Sequence, residues 1–404
     1  MKVAIIGGGA SGLMCAVSIK RNNPDISVTV FERNPRVGKK ILATGNGRCN
    51  LSNVGISENN YRNFSFASYA LNEFSPESNI SFFNSLGLFT KTDLCGRVYP
   101  LSNKAESVLD SLRNAIRIYD IEVVTDTVIE RTEKKGNGFS VCGRFFDKVV
   151  IACGGKSSPS HGTDGKGYML LKSFGHRIIP PYPSLVQLVT GKSPYPRQLK
   201  GIRCDVNMTF LSENGNIVKT GELLFADYGL SGIVSMEISA YVSPYLASGK
   251  KTADISVDFI PSIKSGDLSG IIRNTALNMG EISALEMMAG FVPGAVGRCI
   301  LKESFVSPDT KIKELSDKNI SSIVKTAKHF PFTVTGTKDF SSAQVTGGGA
   351  DIKEFDMATM ESKKAEGLYA VGEVLDVDGD CGGYNLNWAW SSARLCAESI
   401  ANEG

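Results

Sequence analysis

Residues 2–6 (KVAII) form a short unbroken apolar run, the pattern of a strand buried on both faces of a parallel sheet. The run stops at Gly7-Gly8-Gly9-Ala10-Ser11-Gly12, after which Leu13, Ala16, Val17 and Lys20 continue at helical spacing. Residues 27–32 (SVTVFE) read as the next strand, so the chain is expected to open on a compact βαβ unit. Farther on, a helix (AESVLDSLRNAI) is expected ahead of a strand (IEVVTDTVIE). After KKGNG, the segment FSVCGRFFDKVVIACGG reads as a hairpin feeding another buried strand. From about 190 to 260 the texture changes to alternating strands with turn signals, among them NGN at 214–216. From about 265 to 330 it becomes helical, as at Ile320, Ile323, Val324 and Ala327. Residues 345–404 return to a Gly-rich turn, a buried strand (GLYAVGE) and a helix. The pattern carries no internal repeat and no low-complexity linker.

Composition changes this picture in one respect. A chain of 404 residues, 42% hydrophobic and 21% charged, is ordinary for a globular protein of two or three domains. Its 42 glycines exceed the usual level of about 7%, and they cluster where backbone must approach something closely, which suggests a nucleotide cofactor. A net charge of +3 and a pI near 8.3 do not argue for nucleic acid, which needs a pI above about 9 or a local basic stripe. The nine cysteines form no CxxC pair, and the opening apolar run is too short for a signal peptide or a membrane span. A reducing, cytoplasmic setting is expected, with no membrane partner. No His/Cys/carboxylate spacing supports a metal.

The candidate chemistry lies at both ends of the chain. Gly7-x-Gly9-x-x-Gly12 supplies a tight turn, bare backbone for a pyrophosphate and close helix–strand contact, and the helix N-terminus adds free N–H groups. Glu32, twenty residues past Gly12 at the end of the second strand, is placed to accept from adenosine ribose hydroxyls. Gly372 and Glu373 end a buried strand in the manner flavoproteins use to reach pyrophosphate and ribitol, and Asp376, Asp378 and Asp380 follow. This second segment favours FAD over NAD. Gly382, Gly383, Tyr384 and Asn385 open a helix through Leu386, Trp388 and Arg394. Its first N–H groups suit the negative charge that gathers at the flavin N1/C2=O edge on reduction. The same stretch also reads as a Gly-capped amphipathic helix with Trp388 and Trp390 packed.

Longer motifs carry a family resemblance. Lys39-Lys-Ile-Leu-Ala-Thr-Gly-Asn-Gly-Arg-Cys-Asn50, Gly96-Arg-Val-Tyr-Pro100, Gly221-Glu-Leu-Leu-Phe225 with Gly229-Leu-Ser-Gly232, Val345-Thr-Gly-Gly-Gly349 and Gly372 through Leu386 together resemble the BaiN/RdsA family of NAD(P)/FAD-dependent oxidoreductases. The likeness runs essentially end to end. It implies an FAD domain split between the chain ends, an inserted β-barrel and a small helical domain. It also implies reduction of carbon–carbon double bonds in bile-acid-type intermediates or in a ribosomal RNA uridine, and some relatives are amine oxidases. By position, the resemblance puts Ser11 and Gly12 at the pyrophosphate, Glu32 and Arg33 at the adenosine end and the Val128 backbone at the adenine. Glu373, Asn385 and Leu386 fall along the pyrophosphate-to-flavin stretch, and Lys40, Thr44, Gly45 and Asn46 along the isoalloxazine. Where the family pattern has a Thr-His pair, this chain has Ala226-Asp227-Tyr228.

The reading is therefore an α/β protein with a Rossmann-like two-dinucleotide-binding FAD domain. The first part spans 1–188, an inserted β-barrel-like domain 189–262, a small helical domain 263–330, and the return strand and second FAD part 331–404. Hydride is expected to pass from NAD(P)H, a transiently bound donor, through flavin N5 to an unsaturated small molecule or RNA base lying between the FAD domain and the insertion. A proton donor is needed as well. Cys49, its pKa tuned by Arg48 and Lys40, is one candidate and Tyr384 another; for each, plain packing is the competing explanation. His161 falls in a polar loop long enough to border the cofactor, whereas His176 and His329 look like surface or boundary residues. Arg197, Lys200 and Arg203, with Lys192, concentrate the charge an RNA backbone would meet, or form a solvated turn. Two alternatives stay open: an amine oxidase using oxygen, and an RNA-binding module with a non-catalytic flavin.

Overall fold

The computed structural model describes residues 1–213 and 215–403. The chain divides into two compact units, Met1–Pro183 with Ala343–Gly404, and Ser184–Ser342. Each has its own hydrophobic core.

The first unit is built on a five-stranded parallel sheet ordered Leu368–Ala370, Lys148–Ile151, Lys2–Ile6, Ser27–Phe31, Glu122–Val124. Val3, Ala4 and Ile5 are fully buried because the central strand is covered on both faces, which is why its sequence is unbroken apolar rather than alternating. Helices Ala10–Asn22 and Tyr384–Glu403, from opposite ends of the chain, pack closely together. The expected hairpin is present as Gly138–Val141 against Arg144–Phe146, extended by Glu133–Lys135. The strand expected at 121–130 is shorter, ending at Val124, because the backbone turns there: Asp126 is left-handed and its N–H and that of Thr127 go to Asn34 and Glu32 carbonyls.

The second unit is a closed six-stranded barrel, in ladder order Leu188–Thr190, Gly229–Ser231, Ile217–Ala226, Arg203–Leu211, Ala253–Asp258, Phe330–Thr337, with the last strand returning to the first. Helices Ser265–Met279, Ala284–Met288, Gly294–Glu303 and Asp317–Lys328 fill the span before the closing strand. Phe330–Thr337 falls mostly in the stretch that the sequence pattern gives to the return strand, and its register with Ala253–Asp258 makes it a barrel strand. The expected turn at 214–216 rests partly on Asn214, outside the described residues. A larger difference is Ile233–Ala247, a helix where only strands were expected. It contacts all six barrel strands and is apolar around most of its circumference, so it shows neither a helical stripe nor a strand alternation.

His176, expected at the surface or a boundary, is buried. Its ring stacks on Phe355 at 4.5 Å, Nδ1 faces the Glu354 carboxylate at 3.1 Å, and Nε2 accepts from the Ser362 hydroxyl at 2.8 Å. This clasp ties the segment entering Ile178–Ser184 to the segment leading into the edge strand Leu368–Ala370. Burial holds the imidazole pKa below its usual value despite the Glu354 carboxylate, with Lys364 opposing the charge as well. The neutral ring therefore stabilises the fold fully above about pH 6.5, and that contribution is lost as the pH falls below it. The unfolding temperature is expected to drop between about pH 7 and about pH 5.5 more steeply in the wild type than in His176→Gln; equal slopes would remove His176 from the account.

Candidate functional site

The glycine turn at the first strand serves three separate needs. Gly7 has φ +114° and hydrogen-bonds Phe31 O at 2.8 Å, a conformation L side chains rarely adopt. A Cβ on Gly12 would fall 1.8 Å from Gly7 O, so the helix sits against the turn only because that atom is missing. A Cβ on Gly9 would meet nothing within 4 Å. Gly9 is thus not required by packing, and its bare face opens outward beside Ala10, Ser11 and Gly12, whose N–H groups begin the helix. The helix starts with no side-chain cap, and its first backbone bond runs from Leu13 to Gly9. These uncapped N–H groups suit an anion.

Glu32 lies where the neighbouring strand ends. One carboxylate oxygen accepts from Gly8 N–H at 2.9 Å, and the other from the Asn34 N–H and side-chain amide at 2.8 and 2.7 Å. An ionised carboxylate has about four acceptor positions, so one remains for a hydroxyl. Arg33 pairs with Asp164 at 2.6 Å. Val128 is exposed, next to Thr127, whose N–H donates to Glu32 O.

The C-terminal segment arrives on the other side of the same turn. Gly372, at φ +74°, leaves no room for a side chain: a Cβ there would lie 2.7 Å from Ser11 Oγ. Ser11 in turn donates to Val371 O at 3.5 Å. Glu373 accepts from Thr346 N–H at 2.9 Å and pairs with Lys40 at 2.8 Å. Asp376 is half-buried; burial raises its carboxyl pKa, and its backbone carbonyl accepts from Asn63. Two indoles on the last helix hold both segments. Trp388 Nε1 donates to Gly372 O at 3.2 Å, and Trp390 Nε1 to Leu51 O at 2.8 Å.

Lys40 and Thr44 precede a pair of left-handed residues, Gly45 (φ 56°) and Asn46 (φ 54°). Gly383, at φ +103°, leads into the last helix, with Tyr384, Asn385 and Leu386 half-buried at its start. The Asn385 amide is committed to its own loop, bonding Gly379 N–H and Gly379 O at 2.8 Å each. Sequence reasoning did not single out Asn50. Its Oδ1 is buried with no partner among the described residues, 2.8 Å from where a Gly383 Cβ would be. A buried acceptor left open between these two segments, the open face at Gly9 and the uncapped helix start all fit a bound adenine dinucleotide.

The proton-handling candidates separate. Cys49 is fully buried at φ +56°, and burial pushes its thiol up to about 12, with a Thr44 hydrogen bond as the smaller, opposing influence. The expected tuning by Arg48 and Lys40 is not the arrangement found: Arg48 lies over the Tyr99 ring at 4.9 Å, and Lys40 is paired with Glu373. Tyr384 stands edge-on to Tyr61 at 5.9 Å, and its backbone carbonyl accepts from the Tyr61 hydroxyl. His161 lies in the short turn Pro159–His161, where its carbonyl accepts from the Asn34 amide. In the second unit, Lys200 pairs with Asp227 at 2.6 Å and Arg203 with Glu222, whereas Arg197 is exposed at the end of Tyr195–Gln198. Among the described residues no His/Cys/Asp/Glu group could hold a metal, and no helix is long and apolar enough to cross a membrane.

Comparison with known proteins adds the following. A family model described as HI0933-like protein Rossmann domain matches residues 1–399. The 3-dehydro-bile acid delta(4,6)-reductase of Clostridium scindens is 36% identical over 407 residues, covering 99% of each chain. The ribosomal RNA dihydrouridine synthase of Haemophilus influenzae is 30% identical over 412 residues, covering 99% of this chain and 98% of its own. A solved 3-ketosteroid delta1-dehydrogenase from Sterolibacterium denitrificans is similar in fold, with a TM-score of 0.50 at 14% identity, covering 100% of this chain and 99% of its own.

The glycines predict a split between folding and binding. Gly12→Ala is expected to lower the melting temperature of the cofactor-free protein, because its Cβ overlaps Gly7 O. Gly9→Ala is expected to melt like the wild type yet retain the dinucleotide about tenfold less tightly or worse, as read by equilibrium dialysis. Wild-type affinity in Gly9→Ala would mean that the open face is not where the phosphates lie.

Proposed function

Because this chain belongs to the HI0933-like protein Rossmann family, we propose that it is an FAD-dependent oxidoreductase that uses NAD(P)H to saturate a carbon–carbon double bond conjugated to a carbonyl. The observation that carries the reading is the contact of Gly372 with Ser11, which brings the C-terminal Gly-acid segment onto the uncapped helix of the N-terminal glycine turn. The two curated relatives support the reaction class. A delta(4,6) 3-dehydro substrate and a uridine each present an alkene conjugated to a carbonyl, and each is named for its reduction.

FAD, when bound, would supply two-electron redox chemistry between the nicotinamide and the carbon β to the carbonyl. The chain's own residues provide the setting. The helix opening at Ala10, Ser11 and Gly12 would hold the pyrophosphate, Glu32 the ribose, Glu373 and Lys40 the polar link beyond it, and Gly45, Asn46, Asn50 and Gly383 the ring system. The α carbon must then gain a proton. Tyr384, half-buried at the start of the last helix beside Gly383, is the donor we assign, in preference to a thiol held near 12 by burial.

Anaerobic stopped-flow separates the steps. NADH or NADPH is expected to bleach the flavin, and an α,β-unsaturated ketone or a uridine-containing RNA to restore its colour faster than oxygen does. Bleaching by amines with reoxidation by oxygen alone would overturn the reading in favour of an amine oxidase. Tyr384→Phe is expected to slow reoxidation by the unsaturated acceptor by roughly a hundredfold while leaving reduction by the nicotinamide unchanged.

A further inference from the structure

The helical part of the second unit contains a residue that its own fold does not call for. Helix Gly294–Glu303 ends in a Schellman turn, with Val306 N–H on Leu301 O at 2.9 Å and Phe305 N–H on Lys302 O at 3.1 Å, and with both Val306 and Leu301 buried. The left-handed position of that turn, at φ +59°, is Phe305. Glycine fits there without steric cost, and a bulky side chain is strained. Phe305 is also 94% exposed, so its ring gains no burial within the chain. Strain and exposure combined on one aromatic side chain point to a contact outside the chain.

Phe305 forms one wall of a cleft of about 450 Å³ together with Gln198, Arg298, Cys299, Lys302 and Val306. Arg298 and Lys302 are exposed and one turn apart on the helix. Lys302 faces the Tyr195 ring at 5.9 Å, and neither cation has an acidic partner among the described residues. Arg197, beside Gln198, is likewise exposed and unpaired among them. Glu303, the nearest acid on this helix, accepts a hydrogen bond from the Tyr195 hydroxyl. The cleft thus presents an open aromatic ring flanked by Arg298 and Lys302, with Arg197 next in sequence to the lining residue Gln198; Lys200 and Arg203 differ, because Asp227 and Glu222 answer their charges.

We propose that this cleft is a docking site for single-stranded RNA, in which one base stacks on Phe305 and the adjoining phosphates meet Arg298, Lys302 and Arg197. Stacking tolerates any base because each has a π face, and the cations track the backbone. Exposed cations without an acidic partner among the described residues favour a polyanion, and the apolar lining given by Phe305, Cys299, Val306 and Pro308 is the face that a base would meet. The site is separate from the flavin chemistry; only the choice of a uridine-containing probe rests on the reductase reading.

The test is fluorescence anisotropy of a short uridine-rich RNA with the FAD-loaded full chain across a salt series. Phe305→Gly is expected to weaken binding by roughly fivefold or more. The same change leaves the melting temperature equal to the wild type's or raises it by roughly 2 °C, since glycine suits the turn. Arg298→Gln with Lys302→Gln is expected to lower the salt slope by about 1.4, two phosphate contacts at roughly 0.7 each. Flavin absorbance, unchanged in every variant, reports an intact fold. No RNA binding by the wild type, or equal binding by all variants, would overturn the proposal. So would a dimer that dissociates in Phe305→Gly on sedimentation, which would give the face to a second copy. Failure of the reductase reading would show separately, as missing flavin or unproductive redox cycling.

Discussion

The first unit depends on the chain coming back to where it began. Strand Leu368–Ala370 joins in parallel beside Lys148–Ile151, and that strand pairs in parallel with Lys2–Ile6. A parallel ladder has no tight-turn solution and needs a crossover connection, and here the connection to the edge strand includes a whole second unit. Ladder register alone would tolerate a slip. Gly372 removes that freedom, because with Ser11 Oγ 2.7 Å from its missing Cβ the corner fits in one position. Trp388 and Trp390, pointing different ways from one helix, then fix the Gly372 carbonyl and the Leu51 carbonyl to a common support. Each buried aromatic of this kind contributes on the order of 2–3 kcal/mol by area, and each indole N–H is satisfied.

Legibility in the sequence followed the physics of burial. Lys2–Ile6 and Leu368–Ala370 could be recognised because a strand covered on both faces must be apolar at consecutive positions, and the glycine turn because three glycines stand at spacings that a βαβ corner imposes. Helix Ile233–Ala247 could not be. A segment enclosed by six strands loses the polar face that makes a helix recognisable, and Pro244 within it argues further against one. The last barrel strand, Phe330–Thr337, lies mostly in the stretch read as the return strand, and strand pattern gives no information on pairing partners. His176 was misjudged for a related reason: one polar residue in a boundary segment does not announce a partner 178 positions away.

The site was legible where backbone made it and not where side chains close it. Positions held by the glycine turn and the Gly372 corner follow from sequence, since only a few residue types can take those conformations. Asn50 carries no such mark. It ends a motif already noticed, but its open acceptor is visible only once Gly383 is placed beside it. Charge was the least legible property. Lys200 and Arg203 looked like part of a phosphate-binding cluster until the ladder between Arg203–Leu211 and Ile217–Ala226 brought Glu222 alongside, and Asp227 took Lys200. Arg197, with no acidic partner among the described residues, kept the property that its neighbours lost.

The arrangement around the expected ring system also constrains the kind of catalysis the chain can perform. Cys49, the proton-donor candidate in the motif, is sealed from water, and burial raises its pKa to about 12, so it stays a neutral thiol at any physiological pH. Lys40 and Glu373 neutralise one another at 2.8 Å, and Arg48 is spent on Tyr99. Beside the Tyr384 side chain, what this region offers is largely backbone: uncapped N–H groups and left-handed glycines, with the open Asn50 carboxamide oxygen. Such a surface forms no covalent bond to a substrate, but it can hold a charged, planar group in one orientation and favour the electron-rich state of that group through fixed dipoles. A site that keeps its dipoles while burying Cys49 as a neutral thiol is suited to redox chemistry borne by a cofactor, with the protein contributing position and a single proton.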